Sequence, residues 1–353
     1  MKKLIGIIAA LAMITGSAYA ADWNFYGSAR VSTFVEDLDT TDNTSYDQGL
    51  QGNSRIGATV KVSDSLTGGF EYGTGVNVRK LYGEWDFGAG SLLVGQTYTP
   101  MNVFYSNQVY GGDNDMLGQG GIYSGRKAML RLKFGGFQIA AVETQTSDFG
   151  NDGKVKPTTG VVNKKWTTEA NLPGIEAAYR AKFDNVALFL TAGYNTFQVT
   201  DQNKKEYDVD TWIVGAGAKA DFGPAYIAGN IYAGQNAGHM ITVSVDGDNE
   251  GDDGMAEIDD ATGKIYDNDV MGVLLVAGYK LNEMFNFEAG YAFAQTELDK
   301  DNAKEDEVQT YYIQSTITLA PGVYVIPEVG VIDGEEDGDE TTTYYGAKWQ
   351  INF

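Results

Sequence analysis

The sequence predicts an all-β fold: a transmembrane antiparallel β-barrel of sixteen strands with an inward-folded third external loop. Three observations carry that expectation. Hydrophobicity alternates with a period of two almost from end to end. The alternating runs are about 9–13 residues long, right for a tilted strand crossing a bilayer and long for a strand of a soluble sandwich. Beyond the N-terminal leader no stretch approaches the roughly 20 apolar residues of a helical span. The longest, Val270–Tyr279, is ten residues and contains two glycines.

The elements follow in chain order. Met1–Ala20 reads as a secretory signal: Lys2 and Lys3 open it, Leu4–Ile14 is its apolar stretch, and Ala18-Tyr19-Ala20 is a small-x-small cleavage site. Its two lysines leave with it, which takes the net charge from −23 to −25. The barrel domain is expected to be residues 21–353. Its strands are predicted over 22–35, 50–62, 67–74, 77–87, 90–98, 126–134, 137–145, 170–183, 186–199, 209–222, 225–235, 270–281, 285–296, 308–319, 323–332 and 341–353. The first sets Trp23, Phe25, Ala29, Val31 and Val35 against Asn24, Tyr26, Ser28, Arg30 and Ser32. The last sets Tyr345, Ala347, Trp349, Ile351 and Phe353 against Tyr344, Gly346, Lys348, Gln350 and Asn352. Many stripes begin or end in an aromatic residue, as at a lipid–water interface. The opposite face stays polar along nearly its whole length, as a water-filled lumen requires.

Connections come in two kinds that alternate along the chain. Ser63–Thr67, Phe87–Gly90, Gly135-Gly136, Asp184-Asn185, Gly223-Pro224, Asn282–Met284 and Ala320–Gly322 are short; Glu36–Gly49, Thr146–Thr168, Asn236–Asp269, Glu297–Glu307 and Asp333–Glu340 are mostly long and acidic. Strands running up and down, with tight turns on one side of a membrane, give that alternation. An even count puts both termini on the short-turn side. Pairing the first strand with the last leaves no edge in lipid, and sixteen strands enclose room for water.

Composition excludes several classes. Lys+Arg total 25 against 48 Asp+Glu, so a basic nucleic-acid surface is not expected. With no Cys there is no disulfide scaffold, thiolate metal site or cysteine nucleophile. His239 is the single histidine. Ser244 and Asp246 follow it without catalytic spacing, and an ordinary surface histidine is the expected reading, so no enzyme is expected.

Particular stretches then point to a family. Phe25-Tyr26-Gly27 opens the first strand and Ser54-Arg55-Ile56-Gly57 the second, before Ser63-Asp64-Ser65-Leu66-Thr67-Gly68 at the first short turn. Tyr82-Gly83-Glu84-Trp85 leads through Gly90-Ser91 to Val94-Gly95-Gln96-Thr97-Tyr98-Thr99-Pro100, and Lys348-Trp349-Gln350-Ile351-Asn352-Phe353 ends the chain. In this order, over essentially the whole mature length, the chain resembles the general porins of the Gram-negative outer membrane. The resemblance implies a water-filled channel for passive diffusion of small hydrophilic solutes and ions, without a cofactor. It also implies a homotrimer among outer-membrane lipids and lipopolysaccharide, and a terminal Phe353 read by the barrel-assembly machinery. The second external loop, Gly73–Asn77, which in relatives can latch onto the adjacent subunit, is almost absent. A plugged or loop-dominated barrel with an adhesive or structural role is the alternative, and a barrel enzyme comes after it.

The third external connection, Thr99–Gly125, is 27 residues long yet carries only Asp113 and Asp115 as charged residues before its end. Met101, Val103, Phe104, Tyr105, Val109, Tyr110, Met116, Leu117 and Ile122 make it costly to leave in water. It is expected to pack on the inner barrel wall, or else to cap the rim or a neighbouring subunit. The resemblance places Asp113 and Asp115 at the pore constriction, with Gln119 where a second carboxylate is common. It implies a facing ladder of arginines: Arg55 and Arg79 match by neighbouring sequence, Arg126 where the chain leaves the loop, and Gln96 stands at a position often held by Arg. Strict alternation would instead put Lys80, Tyr82, Glu84 and Asp86 on the lumen face of that strand, and Arg79 away from it. Facing rows of opposite charge would orient dipolar solutes; alternatively, the arginines merely pair with lumen carboxylates.

Four of the connections, 36–49, 236–269, 297–307 and 333–340, hold 27 of the 48 acids. Such runs are solvated loops first. They would also form an acidic vestibule that concentrates cations, the basis for an expected cation preference. A calcium loop is a further candidate: Asp246, Asp248, Glu250, Asp252 and Glu257 nearly fit the twelve-residue pattern, with Gly251 at its sixth place. Glu250 stands where Asp or Asn is usual, Asp253 fills a place usually apolar, and no flanking helices are expected.

Overall fold

Alternation of outward apolar and inward polar residues decides the strands. The computed structural model describes residues 21–39, 43–144, 146, 167–200, 204–245, 251–259, 264–334 and 341–353; the expected leader, Met1–Ala20, lies outside them. In chain order the strand segments are β1 (Asp22–Leu38), β2 (Asn43–Leu50), β3 (Arg55–Lys61), β4 (Leu66–Gly73), β5 (Val78–Asp86), β6 (Ser91–Tyr98), β7 (Arg126–Phe134) and β8 (Phe137–Val142). They continue as β9 (Thr167–Glu169), β10 (Gly174–Phe183), β11 (Val186–Thr200), β12 (Glu206–Phe222), β13 (Ala225–Gln235), β14 (Glu257–Asp259) and β15 (Lys264–Tyr266). The last are β16 (Asn268–Lys280), β17 (Phe285–Leu298), β18 (Glu305–Ala320), β19 (Val323–Gly334) and β20 (Thr341–Asn352).

β2 and β3 lie end to end against β1, and β9 and β10 end to end against β11. β14–β15 is a separate hairpin within the connection from β13 to β16. Among the described residues the wall therefore has the sixteen staves expected, every neighbouring pair antiparallel. β20 closes on β1 from Ser28↔Asn352 to Leu38↔Thr342. Gly27 and Phe353 exchange backbone hydrogen bonds at 2.6 and 3.1 Å, completing the seam. Among the described residues no wall edge is left to meet hydrocarbon. Trp23, Phe25, Ile56, Leu130, Leu190, Ile227, Trp349 and Ile351 are exposed on the outer face, where lipid takes the place of water.

Two departures from even alternation shape the interior. The second stave, predicted as one run over 50–62, is interrupted opposite Arg30. The Ser54 hydroxyl accepts from the Arg30 backbone N–H at 2.9 Å and donates to its carbonyl at 3.1 Å, standing in for ladder partners. In β5 the register with β4 slips between Glu71↔Lys80 and Tyr72↔Val78. That slip makes Arg79 an inserted residue, a β-bulge. Arg79 and Lys80 consequently share the lumen side, and both reach Glu71. The bulge explains why alternation alone misplaces Arg79.

Inside the barrel the apolar residues of 99–125 have found partners. Met101, Val103 and Ile122 pack with Ala178, Phe189, Ile213 and Tyr232. Met116 packs with Leu274, Val276, Ala292 and Tyr312, and Val109 with Phe34, Ile326 and Tyr344. Met101, Met116 and Ile122 are fully buried, worth about 1.5–3 kcal/mol each relative to exposure.

Candidate functional site: the inner wall and the 99–125 segment

Three buried wall carboxylates, on three different staves, hold the backbone of the 99–125 segment. Glu176 of β10 accepts from the Met101 N–H at 3.4 Å and from the Ser124 hydroxyl, so one side chain ties both ends. Glu288 of β17 accepts from the Asn107 N–H at 2.8 Å and its side-chain amide at 2.6 Å, while Tyr226 and Tyr312 donate to it. Glu328 of β19 accepts from the Val109 and Tyr110 N–H groups at 2.8 and 3.0 Å. Carbonyls are held in the same way. Gln314 donates to Asn107 at 2.8 Å, Asn230 to Gly120 at 2.8 Å, and Arg180 to Asn102 at 2.6 Å. The interruption of the second stave contributes too: Gln51 donates to the Val109 carbonyl at 3.2 Å and Asn53 to that of Gly112 at 2.6 Å.

Local backbone fits that close seat. At Gly120, φ is +132° and any Cβ would lie 2.2 Å from the Val273 carbonyl of β16, so only glycine allows the chain this near the wall. Asp113, Asp115 and Met116 all have left-handed φ, at 62°, 55° and 56°. Such conformations persist where surrounding contacts enforce them.

The predicted site residues fall into two groups rather than two facing rows. Asp113 is ion-paired with Arg30 and, at 2.7 Å, with Lys348, cations of β1 and β20. It therefore anchors the segment to the wall beside it. Burial, with the Asp113 charge next in weight, pushes the neighbouring Asp115 carboxyl well above its usual range. Gln119 is buried, with its Oε1 unpartnered among the described residues. A carboxylate there would be an uncompensated buried charge.

The cations gather on β3, β5 and β7. Arg79 donates to Glu71 at 2.8 Å, with Lys80 at 3.4 Å, Arg55 at 3.8 Å and the Tyr26 hydroxyl at 2.9 Å from the same carboxylate. Arg126 donates to Tyr98 and Tyr123, at 3.1 Å each, and lies over the Tyr98 ring. Three cations around one carboxylate leave this wall net positive. Glu71→Gln is expected to move the reversal potential in a KCl gradient toward anion preference. An unmoved potential would show that these groups do not face the ion path.

A second inward segment escaped the sequence reading. Residues 236–245, expected to begin an external acidic loop, turn into the barrel mouth: Ala237, Met240, Ile241, Val243 and Val245 are buried. They lie on the 99–125 segment through Thr242 N–H to the Tyr123 carbonyl at 2.9 Å and Ser244 N–H to that of Gly118 at 2.8 Å. Lys127 donates to the Met240 carbonyl at 2.9 Å. The signal was in the sequence, since 236–245 carries no acid while the rest of its loop carries ten. His239 is correspondingly not a surface residue. It is 2% exposed, packs edge-to-face on Phe197, and accepts from the Ala256 N–H. Burial pulls its imidazole down to about 4.

Of the candidate calcium ligands, Asp246, Asp248 and Glu250 lie outside the described residues. Asp252 follows Gly251, and Glu257 opens the β14 strand of a hairpin where an EF-type loop would enter a helix.

A closed barrel with an apolar belt outside, a charged lumen and one long segment laid on part of its inner wall defines a transmembrane β-barrel channel. Residues 8–337 match the family model described as Gram-negative porin, and the chain belongs to that family. It is thereby an outer-membrane protein whose family and fold are those of a channel for passive diffusion. Solved structures share the fold. The outer membrane channel DcaP of Acinetobacter baumannii aligns with TM-score 0.72 and 15% identity over 95% of this chain and 98% of that one. Salmonella typhi OmpF, in complex with daunomycin, gives 0.62 and 14% over 93% and 97%. In-vitro folded OmpT of Vibrio cholerae, in its trimer form, gives 0.58 and 17% over 94% and 99%. No curated protein is a significant match to the sequence.

Proposed function

We propose that the chain is a general diffusion pore for small hydrophilic solutes and ions, with its water path between the 99–125 segment and the β3–β7 wall. One observation carries this reading. The segment is fastened to staves from β10 round past β1 to Gln51 and Asn53, while on the β3–β7 wall Arg55 and Lys80 stay half-buried beside the lumen, around the buried pair of Glu71 and Arg79. A cavity of about 500 Å³ on the external side, with Arg79, Arg126 and Lys127 in its lining, lies along that gap.

Two fields then act on permeating ions. The acids of the external connections concentrate cations over a range set by the Debye length, roughly 10 Å at 0.1 M and 3 Å at 1 M salt. The β3–β7 cations act at closer range and are screened less. The expected result is cation preference at low salt that shrinks or inverts toward 1 M. Single-channel conductance and reversal potentials in planar bilayers at 0.1 and 1 M KCl test it. Cation preference that holds unchanged across that range would refute the two-field account.

Residues 99–125 and 236–245 both occupy the interior, which favours a plugged barrel as the second reading. Stable conductance steps would exclude it. The trimeric form of the OmpT neighbour supports a homotrimer here. A detergent-extracted complex of three chains, seen by mass photometry, is the expected assembly, and a monomer would count against it.

A further inference from the structure

We propose that the short-turn mouth of the channel holds a binding site for organic anions with a flat apolar body, the class of aromatic carboxylates. The inference rests on the channel reading above and adds a ligand class to it. Between β7, β10, β11 and β12, on the side of the Phe183–Val186 turn, lies a cavity of about 660 Å³, within the range of small-molecule sites. Arg131, Arg180, Lys182 and Lys219 line it, and its lining includes no carboxylate among the described residues. In a chain with 48 acids and 25 basic residues, such a concentration of one sign is unusual.

The register explains why the cations meet. Arg180 pairs with Phe189 and Lys182 with Ala187, while Ala187 also pairs with Lys219, so three inward cations come together on adjoining staves. Two are partly compensated: Glu84 stands 3.5 Å from Arg131 and Asp221 stands 3.4 Å from Lys219. The site retains a positive excess.

Its other face is aromatic. Phe104 and Tyr105 of the 99–125 segment, with Phe189, bound the same cavity. The Arg180 guanidinium already lies 4.3 Å from the Phe189 ring centroid while donating to the Pro100 and Asn102 carbonyls. Its donors to the segment fix it, so a carboxylate would bind the ammonium groups of Lys182 and Lys219 as its body lay against the rings. A small anion such as acetate meets only the charges.

The test uses the full-length protein in planar bilayers with benzoate as the probe, added to each chamber in turn. Benzoate is expected to reduce the K⁺ current from one side at concentrations where acetate does not. The double variant Lys182→Gln with Lys219→Gln is expected to weaken the block roughly tenfold, and Lys182→Arg with Lys219→Arg to restore it. An open channel that benzoate leaves unaffected from both sides, acetate acting as strongly as benzoate, or block that survives the glutamine variant would each overturn the proposal. Absence of any conductance would instead overturn the channel reading beneath it.

Discussion

Replacing Glu288 by alanine is expected to turn a steady channel into one that flickers toward higher conductance. Glu288 is 3% exposed and gathers the Asn107 N–H and amide, the Tyr226 and Tyr312 hydroxyls, and Gln314 at 3.2 Å. Deleting the carboxylate orphans buried donors, each worth about 1–3 kcal/mol when left without a partner. Some will find water, so a net weakening of about 3 kcal/mol at residues 105–110 is a reasonable scale. Each 1.4 kcal/mol is a factor of ten, which makes the detached state roughly 100-fold more populated. Detachment also releases the left-handed backbone at Asp113, Asp115 and Met116, which pushes in the same direction. The wall itself is held by its ladders, so heat-modifiability on gels should change little. Glu288→Gln keeps one acceptor and should lie between the two. Records of Glu288→Ala matching the parent in conductance and noise would show that this carboxylate does not hold the segment.

Much of the fold was legible because it follows from one physical requirement, an apolar outer face and a wet inner one, that repeats at every second residue. Short turns were equally plain, since Gly135-Gly136, Asp184-Asn185 and Gly223-Pro224 leave little choice of geometry. Alternation fails where the ladder itself is irregular. Neither the inserted Arg79 nor the break at 51–54 changes composition, so neither leaves a mark in hydropathy; both are seen only when β4 and β1 supply the register. Strand ends also drifted. β8 stops at Val142 rather than 145; β18 begins at Glu305 rather than 308, because pairing outside the membrane does not require apolar residues.

The interior was legible by class rather than by partner. An apolar connection as long as 99–125 announces that it must be buried. Its anchors were hidden because Glu176, Glu288 and Glu328 look in sequence like any polar residue on a lumen face. Residues 236–245 were passed over because they were read with the acids that follow them. Asp113 was singled out by the resemblance as a constriction residue, whereas its meeting with Arg30 and Lys348 joins positions 83 and 235 residues away. No local pattern reports such a contact.

Asp113→Asn is expected to shift ion preference toward anions, and more strongly than Asp115→Asn. In the parent, one carboxylate stands between the Arg30 guanidinium and the Lys348 ammonium. Its removal leaves two cations at the lumen edge without their common partner. A unit charge about 7 Å from a permeating ion in water is worth about 0.6 kcal/mol, roughly a threefold change in that ion's local weight. Salt screens the effect, so reversal potentials at 0.1 M KCl should show it and those at 1 M much less. Asp115 starts from a different state. Burial and the Asp113 charge both favour its protonated form, so its amide analogue removes less charge and should move the potential less. Equal shifts from the two variants would mean that the amide at 115 removes as much charge from the ion path as the amide at 113. A larger shift from Asp115→Asn would place the acidic side of the pore on that residue and leave Asp113 as a structural anchor alone.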